Sequence, residues 1–292
     1  MSGAYNKKNK PGDTWIKMKR VLILSDTHCG SIFGLTHPDY HNHYNEIQKV
    51  GWNFYEETIS KLGNIDLCIV NGDAVDGPGK KDTRQHITTD MRTQVEMAIE
   101  AFKIIPAKKF IFIRGTCYHV ATDRENEDDI ADYFNAEIYD SRKIEINGCI
   151  LHCRHTTGKG SSVYGSVTPL QSNSALQLMN DISAENETAD IFIRSHIHEW
   201  IHVDREPFNA IATPGLQFKG MAYGRKYSSF YSYGIVWIDI EDKHNFEVKK
   251  IRNIVIMRDW NKHNNHNLEI PIEIVDHELL YEIDGLPILE WI

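Results

Sequence analysis

The sequence predicts an α/β fold in which two mixed sheets pack together between flanking helices, and three observations support it. Short apolar runs of strand length recur along the chain, helical stripes stand between the first of them, and the later runs are joined by turn signals instead of helices. No Ser/Gly/Pro linker, internal repeat or low-complexity tract divides the chain. One domain is therefore expected over 20–253, with a flexible N-terminal segment at 1–19 and an extension at 254–292.

Arg20 to Ser25 opens the domain with a continuous apolar run, the pattern of a strand covered on both faces. Trp52, Tyr55, Ile59 and Leu62 then fall on one face of a helix, and Ile65 to Val70 reads as the second strand. A second stripe (Met91, Val95, Ala98, Phe102, Ile105) leads to a third strand at Phe110 to Arg114. Strands alternating with helices imply crossover connections and parallel neighbours. From about residue 143 the pattern changes: Ile144 to Leu151 reads as two strands around an Asn147-Gly148 hairpin turn. Ala175, Leu178, Met179 and Ile182 form another helical stripe, ahead of a strand at Ile191 to Arg194. Ile201 to Val203, Phe208 to Thr213, Tyr233 to Ile240 and Phe246 to Ile251 complete the strands, with a turn at Asp242 to Asn245. Beyond them, Ile270, Ile272 and Ile274 alternate like an edge strand and Leu286 to Ile292 ends apolar. That tail is expected to pack on the domain or to join two copies of the chain.

Composition narrows the function. With 292 residues, 25% charged and 41% hydrophobic, the chain has the makings of a sizeable core and is neither disordered nor fibrous. No run approaches the length of a membrane span, and Met1 to Lys19 has no apolar stretch of the secretory kind, so a cytoplasmic protein without a membrane partner is expected. Five cysteines with no CxxC pair suggest neither a disulfide framework nor a zinc ribbon. A net charge of −9 argues against a broad basic surface gripping long nucleic acid, although metal ions in a cleft can still present positive charge to a phosphate.

Chemistry gathers at the strand ends. Asp26-Thr27-His28 follows the first strand, Gly72-Asp73-Ala74-Val75-Asp76 the second and Gly115-Thr116-Cys117-Tyr118-His119 the third. His152-Cys153-Arg154-His155 and Ser195-His196-Ile197-His198 follow two later ones. In an open α/β sheet such residues converge at the carboxyl edge, where ligands bind. Carboxylates with imidazoles make a mixed oxygen and nitrogen donor set suited to Mn, Fe, Zn or Ni, and a shared carboxylate can hold two ions. Asp76 is placed to orient a ligating imidazole from behind.

This ordered set resembles the calcineurin-like metallophosphoesterases, whose motifs are Asp-x-His, Gly-Asp-x-x-Asp, Gly-Asn-His, a single His and Gly-His-x-His. The matches run from residue 21 to Thr213-Pro214-Gly215, and the third motif looks like that of phage-type members, with Gly-Thr-x-x-His in place of Gly-Asn-His. The resemblance implies a two-sheet metallophosphoesterase sandwich with two divalent or trivalent ions at one edge. By it, Asp26, His28 and His198 would hold the first ion, His155 and His196 the second, and Asp73 would bridge them. His152 is the rival of His155. Manganese is the first choice of metal, with iron, zinc, nickel and magnesium as alternatives.

The third motif departs from the family. Thr116 stands where the Asn ligand is expected, leaving it a weaker candidate for the second metal or for phosphate, and His119 takes the proton-donor role. The activity implied is hydrolysis of a phosphodiester or phosphomonoester by a metal-bound hydroxide, with Asp73 and His119 as catalytic residues. Arg154 and Lys159, with Lys219, Arg225 and Lys226, are candidates for a small basic rim around a phosphate-ester substrate such as a nucleotide or a nucleic-acid end. Two alternatives stand beside this: a nuclease acting on DNA or RNA ends, and a non-catalytic metal-binding assembly module of the same fold.

Overall fold

The structure is a computed structural model that describes residues 17–40, 46–78, 85–116, 126–158, 165, 167–218 and 232–253. Four layers make it up. Strands β1 (Lys19–Leu24), β2 (Leu67–Asn71), β3 (Phe110–Ile113) and β4 (Glu137–Tyr139) run parallel in a six-stranded sheet. Its other edge is the antiparallel pair β10 (Tyr233–Asp242) and β11 (Asn245–Asn253), giving the order β11-β10-β1-β2-β3-β4. The second, five-stranded sheet has the order β5-β6-β7-β9-β8. In it β6 (Cys149–Arg154), β7 (Ile191–Arg194) and β9 (Phe208–Ala212) are parallel, while β5 (Ser141–Ile146) and β8 (Ile201–Arg205) are antiparallel edges.

Alternation along the strands assigns their side chains to layers. Val21, Ile23, Ile69 and Ile111 of the first sheet meet Leu151, Cys153, Ile193 and Ile211 of the second, forming the core between the sheets. Leu22, Leu24, Cys68, Val70 and Phe112 point the other way, onto helices α1 (Glu46–Leu62) and α2 (Met91–Lys103). The stripe expected on α1 is buried as drawn, with Trp52, Tyr55, Ile59 and Leu62 all inside. On α2, Val95, Ala98 and Phe102 are buried, and the N-terminus is capped by Asp90, whose carboxylate accepts from Thr93 N at 3.0 Å. The Asn147-Gly148 turn joins β5 to β6 as expected, with both residues at positive φ (51° and 80°).

Helix α4 (Thr168–Ser183), on the outer face of the second sheet, departs from its expected stripe. It buries Leu170, Ser174, Leu178 and Asp181, while Met179 and Ile182 are 63% and 61% exposed. Ala175 and Leu178 of that stripe do face the core, but the inward face also carries a small hydroxyl and a carboxylate answered by Lys143 Nζ at 2.8 Å, so apolar periodicity alone is half right. Helix α3 (Asn126–Tyr133), which has no long stripe, was not expected. No helix among the described residues is long and apolar enough to cross a membrane. The apolar tail at 254–292 lies outside the described residues, as does the N-terminal segment before residue 17.

Candidate metal centre

After β1 and β2 end, the chain segments that follow stay paired. Asp26 N donates to Gly72 O at 2.9 Å, His28 N to Asp73 O at 3.0 Å and Cys29 N to Ala74 O at 2.9 Å. Asp26, His28, Asp73, His196 and His198 all have left-handed backbone, with φ of 52°, 44°, 53°, 74° and 51°. The other described non-glycine residues in that region are Asn135, Asn147 and Glu185, all in turns next to regular elements. Such backbone costs about 1–3 kcal/mol per residue and persists where the surroundings over-determine it. Its concentration at five motif residues marks the sheet edge as a built site.

Two glycines make room for it. Gly72 sits at φ 86°, and a Cβ there would run into His155 Nδ1 and the Gly115 backbone. A Cβ on Gly115 would strike the Asp73 carboxylate. Beneath the site, a buried polar chain ties the sheets together: Asn71 Nδ2 donates to Ser195 Oγ at 2.6 Å, and Thr213 Oγ1 lies 2.7 Å from both Ser195 Oγ and Ser25 Oγ.

The motif side chains meet in two overlapping groups. Asp26, His28 and His198 form one, and Asp26, Asp73, His155 and His196 the other; within each, one donor atom per residue lies within 4.8 Å of all the rest. Asp26 Oδ1 is 3.2 Å from His198 Nε2 and 3.9 Å from His155 Nε2. Asp73 Oδ2 is 3.1 Å from His155 Nε2, 3.8 Å from His196 Nδ1 and 4.0 Å from His28 Nε2. Both carboxylates thus reach imidazoles of both groups, although Asp26, not Asp73, is the residue common to the two. Asp26 Oδ1 and His155 Nε2 are buried with no hydrogen bond to either. A cation satisfies both kinds of atom at once, and the carboxylate–imidazole set suits a first-row divalent ion.

Charge in the buried cluster is balanced internally. Burial alone would raise the pKa of Asp26, but the facing His198 and His155 rings outweigh it and hold the carboxyl below its usual range. Of those rings, His155 is shifted upward: burial opposes it, yet Asp73 and Asp26 prevail and raise its pKa to about 10. For His198 burial wins over the pull of Asp26, and its pKa is lowered.

Asp76 stands where the sequence suggested, with Oδ1 3.0 Å from His28 Nδ1. Thr116 lies against Asp73, its N–H donating to Oδ1 at 2.7 Å and its hydroxyl at 3.1 Å. Two supporting residues escaped sequence reasoning. Glu127, in the first turn of α3, accepts from Ala74 N at 2.9 Å and from Gly115 N at 2.7 Å, clamping the second and third motif loops together. Burial, reinforced by Asp73 against the donor at Ala74, raises its pKa to about 7. Gln94 of α2 accepts from Asp76 N and Gly77 N at 3.1 and 2.9 Å. An acidic first turn and a Gln among apolar helix residues were the only sequence signals for them.

The remaining expected residues fall elsewhere. His152 is on the far side of β6, with Nε2 2.8 Å from Ser141 Oγ and Nδ1 3.3 Å from the buried Arg194 guanidinium; burial and that cation push its pKa down to about 4. It is therefore His155 that joins the donor groups. Arg154 is exposed and, by alternation, shares the face of Ile150 and His152 that turns toward α4. His119, Lys159, Lys219, Arg225 and Lys226 lie outside the described residues.

No known family profile matches the chain, and no curated protein matches it in sequence. Among solved structures it is similar to a Vps29 single mutant from Entamoeba histolytica, at 12% identity over 80% of this chain and 93% of that one, with a TM-score of 0.43. It is also similar to a novel archaeal phosphodiesterase, at 16% identity over 80% and 99% of the two chains (TM-score 0.40). A conserved protein from Streptococcus pneumoniae, a predicted phosphoesterase, matches at 10% identity over 81% and 90% (TM-score 0.40).

Proposed function

We propose that the chain is a dinuclear metal-dependent phosphoesterase acting on a small-molecule phosphodiester or phosphomonoester. The observation that carries this reading is a single carboxylate oxygen, Asp73 Oδ2, facing imidazole nitrogens from both donor groups at 3.1 to 4.0 Å. In it, Asp26, His28 and His198 would hold one ion and His155 and His196 the other, with Asp73 shared between them. Manganese is the first candidate, ahead of iron, zinc, nickel and magnesium. When bound, such a pair supplies Lewis acidity toward phosphoryl oxygens and makes water acidic enough to ionise near neutral pH.

The chain's own groups do the rest. His155 Nδ1 pairs with Asn71 O at 2.6 Å, which turns Nε2 toward the carboxylates. Thr116 engages Asp73 through Oδ1, with its hydroxyl also 3.4 Å from Oδ2, the oxygen that faces the rings. His196, at 39% side-chain exposure against 1% for His155, marks the side from which substrate arrives. His119 is assigned donation of a proton to the leaving oxygen, and Lys159 the neutralising of substrate charge, both on their motif positions alone.

Elemental analysis of the purified protein, with hydrolysis of an aryl phosphodiester and an aryl phosphomonoester in manganese and after chelation, tests the reading. Two equivalents of metal, activity that disappears with the chelator, and its loss in Asp73→Asn are expected. Unchanged turnover in Asp73→Asn would remove the mechanism. Two bound metals with neither ester hydrolysed would assign the metal-binding assembly module instead, a reading favoured by Thr116 in place of a ligating Asn.

A further inference from the structure

Behind His28 the structure builds more than one layer of support. Asp76 presents Oδ1 to His28 Nδ1 at 3.0 Å, and its second oxygen lies 3.0 Å from His86 Nε2. The backbone around His86 is anchored to the segment that follows the first motif: Ile32 N donates to Gln85 O at 2.9 Å, Ile87 N to Gly30 O at 2.7 Å, and Ser31 forms an antiparallel bridge with His86. Asp76 is fixed separately, through its N–H to Gln94 of α2. The His86 side chain is only 9% exposed, so the contact is an interior one.

A ligating imidazole needs one nitrogen aimed at the ion as an acceptor, and the hydrogen bond at its other nitrogen sets both tautomer and ring angle. Asp76 meets that need for His28. A carboxylate held through one oxygen, however, can still turn about its Cβ–Cγ bond, and a donor on the second oxygen removes that freedom. We propose that His86 is a positioning residue for the His28 metal ligand, the outer member of a His86–Asp76–His28 chain that sets the affinity of the Asp26, His28 and His198 group. The inference rests on the metal-binding reading above and adds a residue that none of the strand-end motifs contains.

Isothermal titration of the chelator-stripped full chain with manganese tests it. The wild type is expected to take up two ions. In His86→Ala, one of the two sites weakens about 10–100-fold, the usual effect of losing such a partner, while the other keeps its affinity. His86→Gln, whose amide can still donate to Asp76, recovers most of the loss. In an Asp76→Asn background, His86→Ala adds nothing further, because the chain is already broken. Two ions bound with unchanged affinity in His86→Ala, equal losses in the Ala and Gln variants, or additive losses with Asp76→Asn would each overturn the positioning role while leaving the metal-binding reading intact. A wild type that binds no manganese would sink that reading, and this one with it.

Discussion

The two donor groups share Asp26 but are enclosed differently. His28 and His198 are buried at 5% and 11% side-chain exposure, and His28 is braced from behind by Asp76. The other group pairs the fully enclosed His155 with His196, whose ring is 39% exposed. One site is closed and oriented from behind; the other opens to solvent through His196. The difference teaches that two donor groups of nearly the same ligand chemistry need not be alike in access or support. The closed group is expected to retain its ion, and the open one to exchange it and to meet the substrate.

The largest effect that can break this comparison comes from His155→Ala. It removes a donor from the open group only, so on the dinuclear reading metal content should fall from two ions to one, with the remaining ion bound as in the wild type. Hydrolysis should drop about a thousandfold, matching the several kcal/mol of charge stabilisation that one ion supplies. Loss of both ions together in elemental analysis would show that the groups are a single unit.

A pH titration sharpens the contrast. In the metal-free protein the His155 pKa stands at about 10, raised against burial by Asp73 and Asp26, so near neutrality an entering cation has to displace its proton. Apparent affinity at the open group should therefore rise with pH, roughly tenfold per unit until that value is approached; in the closed group His198 is lowered by burial, while His28 is raised against burial by Asp76, Asp73 and Asp26 and adds its own proton to displace. The stability of the metal-free protein runs the opposite way. The protonated ring between two carboxylates stabilises fully below its ordinary value of 6.5, and that contribution is lost as pH rises through about 10. Calorimetric titrations and thermal melts in chelator from pH 6 upward would measure both trends. Affinity at the open group that does not change with pH would end the role given to the His155 proton.

Smaller effects separate ligands from their supports. If Thr116 acts on Asp73 through its hydroxyl, Thr116→Val, which keeps the N–H bond, should weaken binding at the open group about tenfold, and Thr116→Ser should restore it. Competition with a fluorescent chelator can resolve that change. A loss as large as that of His155→Ala would make Thr116 a ligand in its own right.

What the sequence made legible follows from which forces leave periodic or positional marks. Helices α1 and α2 bury large apolar side chains against the first sheet, and their stripes were readable; α4 turns Ser174 and Asp181 inward beside Leu178 and leaves Met179 and Ile182 outside, so only half of its stripe was readable. The site itself was marked by acidic and imidazole residues at strand ends, a positional signal independent of amphipathicity. Glu127, Gln94 and His86 left no such mark. Each acts through backbone donors or a carboxylate far off in sequence, and a single buried polar residue carries no periodicity that would announce its partner. The choice of His155 over His152 needed the strand's facing: alternation turns His152 to Arg194 and α4, and the chain turns back toward the carboxylates only beyond the last residue of β6.

The smallest predicted effect lies under both groups. Ser195 Oγ receives the Asn71 amide at 2.6 Å and lies 2.7 Å from Thr213, which in turn meets Ser25, so this polar chain joins the end of each sheet without contributing a metal donor. Replacing Ser195 by Ala removes the nearer of the two acceptors of the buried Asn71 amide, leaving Arg154 O at 3.3 Å, and should cost about 1–3 kcal/mol of stability. Because the ligand loops are also held by backbone pairs such as Asp26 to Gly72, the affinities of both groups should change by less than a factor of about three, an energy below the net worth of one hydrogen bond. Denaturant melts alongside metal titration would measure the two quantities separately. An unchanged midpoint with a weakened closed group would mean that the polar chain sets ligand geometry instead of joining the sheets, and that the closed group owes its hold to Ser195 as well as to Asp76.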